Sequence, residues 1–97
     1  MQDPICPLCQ RPIPPHAKQS QHHLVPKLKG GKGGETVLLH QICHNEIHAT
    51  FTEVELAREF HTIDALLTNA RIAKFVAWVA KRPSTYHSKT PGPRRKR

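Results

Sequence analysis

Two pairs of metal-binding side chains with the same spacing constrain this chain more than any other feature. Two residues separate Cys6 from Cys9, and two residues separate His40 from Cys43. Together the pairs form a Cys3His set, which is a common closed tetrahedral zinc site. A chain of 97 residues that is only 37% apolar builds a small core, so a bound metal would supply much of its folding free energy. The pattern therefore predicts a structural Zn²⁺ that ties the N-terminal loop to the rest of the fold.

Other uses of the cysteines stay open. Three cysteines leave one unpaired in any disulfide framework, and the CxxC pair can also serve redox chemistry or remain as free thiols. No thioredoxin-like order of strand and helix surrounds it. The residues Cys6, Cys9, His44 and His48 also spell a C-x2-C…H-x3-H finger. However, 34 residues (10–43) separate its two halves, where a C2H2 finger has about 12.

The chain carries no pattern of an export signal or a membrane anchor. Residues 1–20 contain five prolines and no apolar run, and no segment reaches the roughly 18 apolar residues of a membrane span. We therefore expect a cytoplasmic protein with reduced cysteines and no membrane partner.

Apolar periodicity and turn residues predict a small α+β fold. The proline-rich residues 3–20 suit a knuckle and loop rather than a helix or a central strand. Two short β-prone runs, 21–25 and 35–39, flank a loop rich in glycine and lysine, which indicates an antiparallel hairpin. Helices are expected at 41–51, 53–60, 63–67 and 70–81.

Capping residues support these helices. Thr52 and Glu55 form a capping-box pattern, Thr62 precedes the third helix, and Pro83 ends the fourth. The last helix should turn four residues toward the core: Ile72, Phe75, Val76 and Val79. We expect one domain over 1–82, divided into a knuckle and hairpin-helix core at 6–51 and C-terminal helices at 53–82. A basic disordered tail is expected at 83–97.

Four more histidines are spaced to form a second site. His22 and His23 are neighbours on a predicted strand, so they should face opposite sides and serve different purposes. His44 and His48 lie four apart on a helix and therefore share one face. We hypothesise that His22, His44 and His48 hold a catalytic divalent ion. His23 would be the general base, because imidazole exchanges protons near neutral pH. The alternative is that one or two of these histidines are core or surface residues without chemistry.

Three segments of the chain together resemble the HNH endonuclease family. They are Cys6-Pro-Leu-Cys9, His22-His23-Leu-Val-Pro26-Lys27 and Val37-Leu-Leu-His40-Gln-Ile-Cys43-His44-Asn-Glu-Ile-His48. The resemblance covers about residues 6–51 and is strongest to small bacterial and phage members with an added zinc site. It implies a ββα-metal hairpin-helix core, in which two strands, a long loop and one helix surround a metal ion.

Carried over by position, the resemblance implies His22 and His44 as metal ligands and His23 as the general base. His48 would be a further ligand or a phosphate contact. The catalytic ion is expected to be Mg²⁺ or Mn²⁺, with other divalent ions as alternatives. The family's central asparagine lies nine residues before the helix histidine, where this chain has Glu35. An ionised glutamate accepts hydrogen bonds but does not donate them, and Asn45 lies inside the helix, away from that position.

The net charge of +8 favours a polyanionic partner, and DNA is the expected one. Lys27, Lys29 and Lys32 on the loop are expected to contact backbone phosphates; the alternative is a plain solvated loop. Four basic residues of the last helix are expected on its solvated face, with DNA contact as the alternative: Arg71, Lys74, Lys81 and Arg82. The tail residues Arg94–Arg97 would add non-specific affinity.

These patterns favour a metal-dependent DNA endonuclease that nicks one strand or cuts both. One alternative is a non-catalytic zinc-containing DNA-binding module, which Glu35 favours. Another is a structural partner in phage or bacterial DNA processing. His23 favours the enzyme, because a binding module needs no base. Cutting both strands usually needs two active sites, as in a homodimer, and the sequence reveals no dimer interface.

Overall fold

The computed structural model of this chain describes residues 2–25 and 35–87. Within them the chain forms a two-stranded sheet and four helices, which is the small α+β fold that the sequence predicts. The elements in order are β1 (Gln19–His23), β2 (Thr36–His40), α1 (Gln41–Thr50), α2 (Glu53–Arg58), α3 (Ile63–Leu67) and α4 (Ala70–Val79). Within these ranges no helix combines the length and apolar character needed to cross a bilayer.

Before β1, the chain makes a tight turn that presents two cysteines. The Cys6 N–H donates to the Arg11 carbonyl at 2.9 Å, and the Gln10 N–H donates to the Cys6 carbonyl at 2.8 Å. Gln10 adopts φ 66°, in the left-handed region that favours glycine. Its side-chain amide donates to the Pro7 carbonyl at 2.9 Å, which helps to offset the cost of that conformation.

The hairpin and the first helix form one continuous unit. β1 and β2 are antiparallel, with Gln19 opposite His40 and His23 opposite Thr36. Beyond the last pair, the Leu24 N–H donates to the Glu35 carbonyl at 3.2 Å. His40 is both the last residue of β2 and the residue that precedes α1. No loop therefore separates strand from helix, and the orientation of α1 is fixed directly by the hairpin.

The helix caps agree with the sequence. The capping box predicted at Thr52 and Glu55 is confirmed, and the Thr62 hydroxyl accepts from the Ala65 N–H as expected. Asn69, which was not anticipated as a cap, accepts from two N–H groups at the start of α4. On α4, Ile72 and Val79 are buried, while Phe75 and Val76 are partly buried against the core.

The chain after α4 differs from the sequence-based expectation of a disordered tail from residue 83. Residues 83–87 pack on the fold: the Tyr86 N–H donates to the Pro83 carbonyl at 2.9 Å, and the Tyr86 side chain packs against the buried core. Composition alone missed this, because the segment is held through backbone carbonyls and one aromatic ring. Arg94–Arg97 lie outside the described residues.

Candidate metal centres

Four buried side chains form the first centre. One ligand atom from each of Cys6, Cys9, His40 and Cys43 lies within 4.8 Å of all the others. The Cys9 Sγ and His40 Nδ1 atoms are 3.4 Å apart. Two such ligands on one tetrahedral Zn²⁺ stand about 3.6 Å apart, given Zn–S and Zn–N bonds of about 2.3 and 2.05 Å. The cluster could therefore bind a metal ion such as zinc.

A hydrogen bond fixes which ring nitrogen His40 offers to this centre. Its Nε2 lies 2.7 Å from the Ser84 carbonyl oxygen. A carbonyl only accepts, so Nε2 must carry the proton and donate it. Nδ1 is then left with a lone pair directed at the thiols, which is the tautomer that a metal requires.

The neighbouring groups shift the pKa values of the thiols in different directions. Hydrogen bonds from Cys43 and Cys6 lower the pKa of the Cys9 thiol, and the neighbouring Arg11 lowers it further. The pKa of Cys43 is raised, because its thiol is hydrogen-bonded to Cys6 and Cys9 and is buried. The Cys9 Sγ also accepts from the Arg11 Nε at 3.2 Å. A cation among the sulfurs would let all three thiols ionise.

Three histidines form the second centre. The ligand atoms of His22, His44 and His48 also lie within 4.8 Å of one another. The Nε2 atoms of His44 and His48 are 3.1 Å apart. Two imidazoles bound to one ion at about 2.1 Å each place their nitrogens about 3.0 Å apart at a 90° bond angle and about 3.4 Å apart at the tetrahedral angle. The geometry accommodates one ion among the three rings.

His22 is the most unusual residue of this centre. It is 1% exposed, and neither of its ring nitrogens has a hydrogen-bond partner among the described residues. Buried polar groups are ordinarily paired. Burial, followed by repulsion from His44, His48 and His23, lowers the pKa of His22 to about 4. The ring is therefore neutral at pH 7 and retains a lone pair for a cation.

The two helix histidines are held differently. The Nδ1 of His44 lies 2.6 Å from the Ser20 Oγ, and burial, with repulsion from His48 and His23, lowers the pKa of His44 to about 4. Loss of hydration lowers the pKa of His48, while the Glu53 carboxylate opposes that shift. His48 is the exposed member of the set, so the centre opens to solvent on its side.

His23 lies beside the second centre without belonging to its ligand set. It is partly exposed and follows His22 on β1. Its charge contributes to the lowered pKa of both His22 and His44. Among the described residues, His23 thus stands apart from the three histidines whose ligand atoms converge.

The other residues that the sequence singled out do not join either centre in the described part of the chain. Glu35 is exposed and joins the loop ends through its backbone carbonyl; in residues 2–25 and 35–87 its carboxylate has no hydrogen-bond partner. Asn45 accepts from the Gln41 side chain at 2.8 Å, within α1. The predicted phosphate contacts Lys27, Lys29 and Lys32 lie outside the described residues.

Sequence reasoning missed three buried polar contacts. Arg71, expected on the solvated face of α4, instead donates from Nε to the Glu46 carboxylate at 2.7 Å, with side chains 16% and 7% exposed. A sequence signal was available, because Glu46 lies on the apolar face of α1 between Cys43 and Ile47 and needs a cation there. Arg11 and Ser20 gave no such signal.

Comparison with known proteins finds a relative in Bacillus subtilis. The chain is 38% identical over 79 residues to "Uncharacterized protein YisB" of Bacillus subtilis (strain 168), and the alignment covers 81% of this chain and 76% of YisB. No protein-family model matches the chain, and no solved structure matches it.

Proposed function

This chain belongs to the same family as YisB of Bacillus subtilis, and we propose that it is a metal-dependent DNA endonuclease that hydrolyses phosphodiester bonds. The observation that carries the proposal is the buried His22 ring. Its two nitrogens lack hydrogen-bond partners among the described residues, and it lies against His44 and His48. Buried polar groups are ordinarily paired, and a bound cation would give the His22 ring the partner that it lacks.

We assign one role to the three clustered histidines and another to His23. His22, His44 and His48 would hold the ion, and the hairpin followed directly by α1 supports the proposal of a ββα-metal core. When bound, the ion would supply Lewis-acid stabilisation of the charge that develops on the phosphate. His23 lies outside the ligand set, so one of its ring nitrogens is free to accept the proton of an attacking water. The exposed edge at His48 faces the solvent from which a phosphodiester would approach.

The donor set narrows the choice of ion. Three imidazoles suit first-row transition ions such as Zn²⁺ or Ni²⁺, whereas Mg²⁺ prefers oxygen ligands. Of the two ions expected from sequence, Mn²⁺ fits this set better than Mg²⁺. We propose a transition ion at this centre and a structural Zn²⁺ at the Cys3His centre. The adjacent residues Cys43 and His44 belong to different centres, so zinc binding would help to hold α1 in the position that the second centre needs.

Plasmid cleavage tests the proposal. Purified protein should convert supercoiled plasmid to open-circular or linear DNA with Mn²⁺, Ni²⁺ or Zn²⁺. His23→Ala should abolish cleavage yet still bind the ion in calorimetry, whereas His61→Ala, at an exposed histidine, should cut normally. Linear product formed directly from supercoiled DNA would indicate double-strand cutting.

The opposite outcome identifies the alternative. If the wild-type chain is inert with every ion but shifts DNA in a gel, it is a non-catalytic zinc-containing DNA-binding module. Glu35 is exposed to solvent and stands where the HNH endonuclease family has its central asparagine, which favours the binding module over the enzyme. If it neither cuts nor binds DNA, both functions fail.

A further inference from the structure

The segment after α4 lies over the Cys3His centre without supplying a ligand to it. We propose that Arg11 and the carbonyls of Pro83 and Ser84 form an outer shell around this centre. Through that shell, metal binding is coupled to the docking of residues 83–87, which we call the C-terminal clamp, against α4. The proposal does not rest on nuclease activity.

The first contact of the clamp acts on a ligand. The Ser84 carbonyl accepts from the His40 Nε2 at 2.7 Å, so it holds the ring in the tautomer that directs Nδ1 at the sulfurs. Without this acceptor, the buried Nε2–H would have no partner, and the other tautomer would become accessible. The clamp therefore stabilises the metal-binding form of His40.

The second contact would offset the net negative charge of the metal-bound Cys3His centre. Three thiolates and one dication carry a net charge of about −1, which is costly to bury unless it is neutralised. Arg11 is 6% exposed, and its guanidinium supplies a positive charge. It donates from Nε to the Cys9 Sγ at 3.2 Å and from Nη1 to the Pro83 carbonyl. One guanidinium thus joins the sulfur cluster to the clamp.

At its other end the clamp is attached to α4. The Tyr86 ring packs edge-on against Trp78, with centroids 5.7 Å apart and an interplanar angle of 78°. The Arg82 guanidinium lies 4.7 Å from the Trp78 ring centre on the same helix end. Loss of the outer-shell contacts would therefore release Tyr86 and leave Trp78, already 41% exposed, more open to solvent.

Coupling of this kind is reciprocal: if the metal favours the docked clamp, the docked clamp favours the metal by the same factor. Loss of an outer-shell partner typically weakens metal binding by about 10- to 100-fold. Two shortened chains test this directly. One ends at Arg82 and lacks the clamp, and its matched control ends at His87 and keeps it.

Zinc affinity is measured by competition with a chromophoric chelator, and folding by far-ultraviolet circular dichroism in excess zinc. The chain ending at Arg82 should bind Zn²⁺ about 10-fold or more weakly than the full chain, and the chain ending at His87 should match the full chain. Equal affinity of both shortened chains would overturn the proposal.

A point variant keeps the test decisive if the shorter chain folds poorly. Arg11→Met removes the guanidinium from the intact chain. In the zinc-loaded protein, it should weaken zinc affinity and increase acrylamide quenching of Trp78, which is the one tryptophan in the sequence. Arg58→Met, at an exposed arginine of α2, is the control. Unchanged affinity and unchanged quenching in Arg11→Met would contradict the coupling.

Discussion

The Ser20 Oγ and the His44 Nδ1 lie 2.6 Å apart, which joins the hairpin to the histidine face of α1. Ser20 and His22 are two residues apart on β1 and so share a face of the sheet. A hydroxyl can accept from Nδ1–H, and the His44 lone pair is then on Nε2, which lies 3.1 Å from the His48 Nε2. The serine is thus placed to orient the His44 ring and to accept from Nδ1–H when the Nε2 lone pair faces the other two rings.

Ser20→Ala should weaken metal binding at the three-histidine centre by about 10-fold, because the His44 ring loses the partner that orients it. Ser20→Thr keeps a hydroxyl and should retain most of the affinity. Calorimetric titration of zinc-loaded protein with Ni²⁺ measures the effect, with Thr36→Val on the neighbouring strand as the control. Wild-type affinity in Ser20→Ala would show that the hydrogen bond has no part in holding the ion.

Local spacing explains why many of the residues in both centres could be predicted from the sequence. Two residues between ligands bring Cys6 close to Cys9 in a tight turn, and helical periodicity sets His44 and His48 on one face. The alternation of a strand separates His22 from His23. Each of these relations is fixed within a few residues, so no knowledge of tertiary packing is needed.

The remaining parts of the centres depend on contacts between distant segments. Arg11 and Pro83 are 72 residues apart, and the clamp offers backbone carbonyls, which every residue possesses. Neither composition nor periodicity marks such a partner. The sequence-based expectation for Arg71 was wrong for a related reason. Its position on α4 indicates a solvated residue, and only the packing of α1 against α4 brings the buried Glu46 next to it.

The buried pair Glu46 and Arg71 should control the packing of α4 on α1. Arg71→Ala leaves the Glu46 carboxylate buried without its cation and should lower the free energy of unfolding by about 3 kcal/mol. The double variant Glu46→Leu with Arg71→Met should recover most of that loss, because it leaves no unpaired charge. Urea unfolding measures both, and Lys74→Ala, at an exposed residue of α4, should have little effect. A loss in the double variant equal to that in Arg71→Ala would argue against this explanation.

The lowered pKa values of the histidine centre predict a pH dependence of stability. The pKa of His22 is about 4 in the folded chain, mainly because of burial, against about 6.5 when unfolded. Between these values the unfolded chain binds more protons, so stability falls as the pH is lowered from about 6.5 to about 4. His22→Leu should flatten that dependence, because it removes one buried titrating group.

Urea midpoints at several pH values, for wild type and His22→Leu without a second ion, measure this difference. His16→Leu, at an exposed histidine, should keep the wild-type dependence. His22→Leu should also be at least as stable as wild type at pH 7, since it removes two buried nitrogens without partners. A parallel pH dependence in His22→Leu and wild type would contradict the lowered pKa.

Removal of zinc should unfold the chain. Structural zinc sites contribute roughly 10–16 kcal/mol of apparent binding free energy, which is comparable to the whole stability of a small domain, at about 5–15 kcal/mol. The Cys3His centre joins the N-terminal turn, β2, α1 and the clamp, so its loss would release four segments together.

Chelation, or Cys43→Ser at a fully buried position, should therefore abolish the native circular dichroism signal and expose the remaining thiols to a thiol reagent. His22→Leu should keep one zinc per chain and protected thiols, because it alters only the other centre. A chelated chain that kept its dichroism and its urea midpoint would show that the core is sufficient without metal.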